Sequence, residues 1–593
     1  MAITKTKFIN YTRCPRFVAL DDLKEEILNS DVSLKEYKQE ELEEQTKELL
    51  GMMDLDEKVD EHLEVMLPYY NEVEILAGSL ASKYFKGSFK FAYNTFDQES
   101  FDCKINGIRY ICYVDIYNEV DDHFNIIEVK ATTSKKFLSN DIFVKKDGIY
   151  HLKEDFESAD DKYYQIRNKL LDRFDSAGHY VFDLAVQRYI IENDLIQNKQ
   201  EDKINKIKYY LAVLNSDYVF DGKYEKGVPK YDTINDQDII SYFDFTNLTK
   251  DYLIKIAKER EKLEQYIASL DNKRVPLGQF CENKKSSQCC YFDLCFDILP
   301  NKNSILTYLD NHHGFKINNK KYDVYQLINE GKTSIFDIDD QDLIREKNII
   351  QKQVVETQTP YVNKDKIKDG INMITYPIYH LDFETFPCPL PRFKGEKPYS
   401  QSVFQFSLHI EKKPGICDKE KDHYGYLARD EFDHREELIK ELIKYIKGDG
   451  TVLVYNDSFE KSRLKELASI FPQYQDELMN IHNHVFDLMN IIKTKTSLYE
   501  DMGYNKKEAS LFNYYHEDMQ GSFSIKKILP LFSNLTYKGM EIANGVDALV
   551  TYAKFKQMDK VEYDYKYQKL IDYCKQDTWA MVEILKGLRD IVK

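Results

Sequence analysis

Tryptophan occurs once in this chain of 593 residues, and glycine and proline contribute only 22 and 14 positions. So little of the two turn-forming residues excludes a collagen-like or low-complexity polymer, and 42% hydrophobic with 13% aromatic content excludes a chain too polar to bury a core. No apolar run approaches the roughly 20 residues of a membrane-spanning helix. The opening MAITKTKFINYTRCPRF also lacks the apolar stretch of a signal peptide, so the expectation is a cytoplasmic protein with no membrane partner. Ten cysteines in that compartment do not read as a disulfide framework, and those that cluster are better read as metal or cluster ligands. A basic excess is missing too, because 83 Lys and Arg face 101 Asp and Glu for a net charge of -18. Phosphate binding usually shows as surplus Lys and Arg. A nucleic-acid partner must therefore be argued from local sites, where bound cations and basic grooves coexist with an acidic remainder.

The length exceeds one hydrophobic core and implies about two to four units. Residues from about 20 to 70 read as a charged, solvated helical insertion. A helix over EVEILAGSLASKYF precedes three alternating runs, FKFAYNTF, GIRYICYVDIY and NIIEVKATT, which read as strands. The helix HYVFDLAVQRYIIEN and the strand KYYLAVLN complete an α-β-β-β-α-β order, and long helices are expected from about Asp236 to Leu270. Residues 301–373 read as a mostly helical connector, and a second α/β unit runs from 374 to 593.

In YPIYHLDFET the strand period puts Asp382 and Glu384 on one face, where both carboxylates can grip one metal. The strand TVLVYN leads into a helix with Asn456, Phe459 and Glu460, and Asp457 lies at the turn. In the last helix Tyr573 and Asp577 are four residues apart, on a face that continues through Met581 and Ile584 and so turns inward. An aspartate on an inward face is costly unless a cation or hydrogen bonds compensate it.

This order of acids resembles the DEDD exonucleases in their Tyr-containing subclass, with a ribonuclease-H-like fold. The resemblance implies that Asp382, Glu384, Glu460 and Asp577 bind two Mg2+ or Mn2+ ions and that Tyr573 orients the attacking water. Glu460 stands where the family pattern has Asp.

Toward the N-terminus, Asp115 on one expected strand and Glu128 and Lys130 on one face of the next make a D…E-x-K constellation, with Asp183 and Gln187 four residues apart on the following helix. Two carboxylates to hold a metal and a lysine to polarise phosphate are what hydrolysis needs. The pattern resembles the RecB-like branch of the PD-(D/E)XK nucleases, implying a restriction-endonuclease-like domain over residues 1–300. By that resemblance Asp115 and Glu128 bind metal, Lys130 is catalytic, and Gln187 supports the site. Relatives carry a first-helix His, but AGSLASKYF has none, leaving Glu74 as the substitute.

Cys14 in YTRCPRF and Cys281, Cys289 and Cys295 in FCENKKSSQCCYFDLCF bracket this domain. The bracketing resembles iron-sulfur nucleases, in which four thiolates hold a [4Fe-4S] cluster. Zn2+ is the alternative, and Cys289 is preferred over Cys290 for its C-x5-C spacing. Cys103, Cys112, Cys388, Cys417 and Cys574 read as ordinary thiols. Nearly the whole chain resembles a bacterial family fusing such a nuclease domain to an exonuclease-like domain. The expectation is a metal-dependent nuclease on nucleic acid, DNA ahead of RNA, in repair or defence. The alternatives are an RNA-processing exonuclease and a nucleic-acid-binding scaffold with an inactive site.

Overall fold

The computed structural model describes residues 2–28, 59–91, 98–281 and 288–593. Most of the expected helical insertion, and the end of FKFAYNTF, lie outside them. The described chain is mixed α/β and separates into two compact units. Unit 1 comprises 1–275, 280–291 and 387–400, and unit 2 comprises 276–279, 292–386 and 401–593. No helix among the described residues is long and apolar enough to cross a membrane.

Unit 1 opens with β1 (Ala2–Thr4) and α1 (Lys5–Tyr11), capped by the Thr4 side chain. Helices α2 (Pro15–Leu28) and α3 (Val59–Ala81) follow. Strands β2 (Ser88–Phe91), β3 (Glu99–Ile105), β4 (Ile108–Val114), β5 (Ile116–Val120) and β6 (His123–Thr133) come next. After β7 (Phe143–Lys146) and β8 (Ile149–Leu152) come α4 (Gly178–Gln197), β9 (Ile207–Leu214), β10 (Ile240–Asp244) and α5 (Thr246–Ser269). A seven-stranded sheet runs β2-β5-β6-β9-β10-β8-β7, beside a three-stranded sheet β1-β4-β3. In β6 nine consecutive residues are buried, and its neighbour β9, rich in Tyr, Leu and Val, pairs parallel to it. Such a run marks a strand covered on both faces. The core beneath packs Phe8, Ile126, Val181, Leu184, Leu211 and Leu248.

Three expectations change here. GIRYICYVDIY is two strands, β4 in the small sheet and β5 in the large one, and Asp115 is the bend between them. ESFDCKI forms the unanticipated β3, because its pairing partner β4 supplies the order that its own weak alternation does not. The start of the expected long helix is instead β10, whose β-branched and aromatic residues (ISYFD) suit a pleated, buried surface.

In unit 2 the connector region carries α6 (Glu346–Thr357) and α7 (Lys364–Asn372). The α/β part contains β11 (Ile378–Pro387), β12 (Gln401–Glu411), β13 (His423–Leu427), α8 (Arg435–Tyr445), β14 (Thr451–Val454) and α9 (Asp457–Ile470). It closes with β15 (Val485–Asp487), α10 (Ile525–Phe532) and the 33-residue α11 (Lys560–Val592). The five-stranded sheet runs β13-β12-β11-β14-β15, so β11 is central. It pairs parallel with β14, which pairs parallel with β15, while β12 and β13 form an antiparallel hairpin on the other side. Gly450 (φ +73°) makes the turn into β14, and a Cβ there would lie 1.9 Å from the Pro377 carbonyl oxygen. Leu381, Phe383, Val452, Leu464 and Leu467 pack the core around the sheet.

Residues 387–400, which begin at the last residue of β11, belong to unit 1. Within that unit the Phe220 amide donates to the Glu396 carbonyl at 2.9 Å, and the Gly395 amide to the Phe220 carbonyl at 2.8 Å. Tyr399 donates to the Ala131 carbonyl at the end of the β6 E-x-K stretch.

Candidate metal centre

In unit 2 the central strand β11 presents Asp382 and Glu384 on the same side, as a period of two requires. The inward face of α11 brings Tyr573, Cys574 and Asp577, and α9 brings Glu460, which is only 3% exposed. Ligand atoms of Asp382, Glu384 and Cys574 all lie within 4.8 Å of one another. Glu460 and Asp577 join the same electrostatic cluster: burial holds Glu384 well above the usual carboxylate range, and the charges of Asp382, Asp577 and Glu460 raise it further. Burial, then the Asp577 charge, does the same to Asp382. Burial, then the Asp382 charge, does so to Glu460, whose Oε2 is buried without a hydrogen-bond partner. Asp577 is raised by burial to about 6, held back by the Tyr537 and Tyr573 hydroxyls and the Lys526 charge.

The structure thus brings Asp382, Glu384, Glu460, Asp577 and Tyr573 into one cluster. Asn456 is not in the helix: it is the N-cap of α9, with φ +74°. Asp457 accepts from Lys461 at 2.5 Å on the same helix, so its charge is matched locally.

Sequence reasoning missed three residues here. Tyr537 donates to Asp577 Oδ1 at 2.6 Å, and its ring meets that of Tyr573 edge-on, with centroids 6.4 Å apart. Lys526, at the start of α10, supplies positive potential to Glu384 and Asp577. Cys574, read above as an ordinary thiol, donates to Asp382 Oδ2 at 3.5 Å. Burial and the neighbouring carboxylates push its thiol well up, so it is a neutral donor and not a thiolate. Of the three only Cys574 left a signal, because it immediately follows Tyr573 on the inward helix.

These residues fit a divalent ion. Carboxylate oxygens are the hard donors that Mg2+ and Mn2+ take, and four carboxylates share one electrostatic cluster with an orphaned Glu460 oxygen among them.

Unit 1 presents a different balance. Glu128 is 1% exposed, and its Oε1 takes ammonium groups from Lys130 at 2.8 Å and from Lys5 at hydrogen-bonding contact. Its Oε2 accepts from Gln187 Nε2 at 2.8 Å, and that same nitrogen reaches the Tyr113 carbonyl at 2.8 Å. Asp183 Oδ2 lies 2.8 Å from the Lys130 ammonium and 3.3 Å from that of Lys5. Against the cost of burial, those two cations hold the Asp183 carboxyl down at about 2. Asp115 is aimed elsewhere: Oδ2 accepts the Val129 amide at 2.7 Å and Oδ1 the Gln98 side chain at 3.3 Å. Glu74 is a half-buried residue of α3.

The structure therefore brings Glu128, Lys130, Asp183 and Gln187 together and adds Lys5, an unexpected member from α1. Two ammonium groups already lie against the two carboxylates, so this donor set does not fit a divalent ion.

The cysteines divide between the units. In unit 1 the Cys14 sulfur accepts the Phe17 amide at 3.4 Å, the Cys289 amide reaches the Cys281 carbonyl at 3.3 Å, and Tyr291 meets Phe17 edge-on at 5.0 Å. Cys290 is exposed, and Cys295 lies in a short helix, Phe292–Phe296, of unit 2.

Residues 379–524 match the model of a domain of unknown function, DUF2779. The chain is 26% identical over 245 residues to the uncharacterized protein MG366 of Mycoplasma genitalium, a match covering 39% of this chain and 34% of that protein. It is 25% identical over 230 residues to the uncharacterized protein UU173 of Ureaplasma parvum, covering 36% and 31%. The chain thus spans about a third of the length of these curated relatives. No solved structure matches. The acid pair of β11, the N-cap Asn456 and the α9 acids Asp457 and Glu460 fall inside the DUF2779 match, and Tyr573 and Asp577 lie beyond its end.

Proposed function

We propose that unit 2 is a metal-dependent phosphodiesterase of the ribonuclease-H-like exonuclease type, acting on nucleic-acid ends, DNA ahead of RNA. One observation carries the reading: four carboxylates from three elements, Glu384 and Glu460 buried and Asp382 and Asp577 half-buried, share one electrostatic cluster, with one Glu460 oxygen unpartnered and their proton affinities raised. Such a cluster calls for cations. The sheet order, with the acid-bearing strand central, two parallel strands on one side and an antiparallel hairpin on the other, supports the fold reading.

Asp382, Glu384, Glu460 and Asp577 would hold the ions. When bound, divalent ions activate a water and offset charge on the attacking and leaving oxygens of a phosphodiester. The Tyr573 hydroxyl orients the attacking water, Tyr537 fixes the Asp577 carboxylate, and Lys526 adds positive potential where a phosphate enters. The test is digestion of 5′-labelled single- and double-stranded DNA and RNA with free or blocked 3′ ends. Mg2+- or Mn2+-dependent shortening of the free-ended substrates is expected, and no shortening of any substrate rejects the proposal.

The cysteine spacing supports a second, separate proposal, that the chain carries a [4Fe-4S] cluster, which requires four thiolates.

A further inference from the structure

In the buried cluster of unit 1 two ammonium groups face two carboxylates. Lys5 and Lys130 contribute two positive charges, Glu128 and Asp183 two negative ones, and all four side chains are nearly or fully buried. Lys130 belongs to the E-x-K pattern, but Lys5 does not. It comes from the first residue of α1, a helix anchored by the Thr4 cap and by the packing of Phe8 and Tyr11 into the core. Its ammonium bridges Glu128 and Asp183. An ammonium is a compact point charge with three donors, so it can satisfy two carboxylates as a small cation does. A divalent ion brought to these two carboxylates would stand against the two ammonium groups already paired with them, a like-charge contact that burial penalises heavily.

We propose that Lys5 is a built-in cation that takes the position of a divalent metal between Glu128 and Asp183, so that the unit 1 centre binds neither Mg2+ nor Mn2+. The E-x-K strand then keeps its geometry without a metal, and Gln187 holds the Glu128 carboxylate in place from α4. Removing the Lys5 charge leaves two buried carboxylates sharing one lysine, a donor set with room and charge for a divalent ion.

The test is Mn2+ binding to the full chain, measured by electron paramagnetic resonance, with unit 2 disabled as a binding centre by Asp382→Asn and Asp577→Asn. With Lys5 intact, no Mn2+ binding that depends on Glu128 is expected. With Lys5→Met added, Mn2+ affinity should rise by at least about tenfold, and Glu128→Gln should abolish the gain. Lys5→Gln serves as the second variant if Lys5→Met does not fold. Mn2+ bound by the Lys5-intact chain and lost in Glu128→Gln would overturn the proposal. So would folded Lys5 variants that gain no binding.

Discussion

Glu460 stands where the resembled pattern has an aspartate, and the structure gives it a buried, unpartnered oxygen and places it under the charge of Asp382. If that oxygen meets a metal, Glu460→Asp retains most of the nuclease rate, while Glu460→Ala loses about 10²-fold, since removing a ligand takes away several kcal/mol of charge stabilisation. Single-turnover rates at saturating Mn2+ check this, and equal losses in both variants would deny Glu460 its role.

The same cluster makes a pH prediction. In metal-free protein Asp577 is raised to about 6 from an ordinary 3.8. The folded state therefore holds an extra proton between those values. Its stabilising contribution is complete below the ordinary carboxylate pKa and is lost as pH rises through about 6. Thermal unfolding in chelator should weaken over that window, and divalent ions should restore stability above it. A chelated protein whose stability does not fall over that window would contradict the assignment.

The elements carrying the acids were legible for reasons local to each segment: the apolar run before Asp382, the strand TVLV, and the four-residue spacing of Tyr573 and Asp577 on an apolar helix face. Lys5, Tyr537 and Lys526 were not. Lys5 meets Glu128 across 123 positions, and Tyr537 meets Asp577 across 40, so no periodicity announces either contact. The alternation of GIRYICYVDIY continues through Asp115 and reads as one strand, although the chain changes sheets there.

Packing and chemistry are separable at this scale. Leu381 beside Asp382 and Leu585 on the buried face of α11 are both fully buried. Leu381→Ala and Leu585→Ala should each cost about 2–5 kcal/mol of stability, read by denaturant unfolding, while the added stability from Mn2+ persists. Loss of that increment in both would mean that the acids depend on core packing more than on their elements.

At the scale of the molecule, two units carry two charge clusters of different character: one in which lysines lie against the carboxylates, the other a set of carboxylates on which Lys526 acts as a cation. That contrast was hidden in an overall charge of -18, which sums over both. The cysteines make a further whole-chain prediction: protein purified without oxygen should be brown and contain iron, with visible thiolate-to-iron absorbance. Cys14→Ser should bleach it, whereas stoichiometric zinc without iron would replace the cluster with a zinc site.

The central claim is that the carboxylates of unit 2 form a hydrolytic metal centre. It is tested most directly by Mn2+-dependent digestion of a 5′-labelled oligonucleotide by Lys130→Ala protein, alone and combined with Asp382→Asn or Asp577→Asn. The account predicts full shortening from the 3′ end with Lys130→Ala alone and a loss of about 10²-fold or more with either added substitution. Undiminished digestion by both combined variants would contradict it.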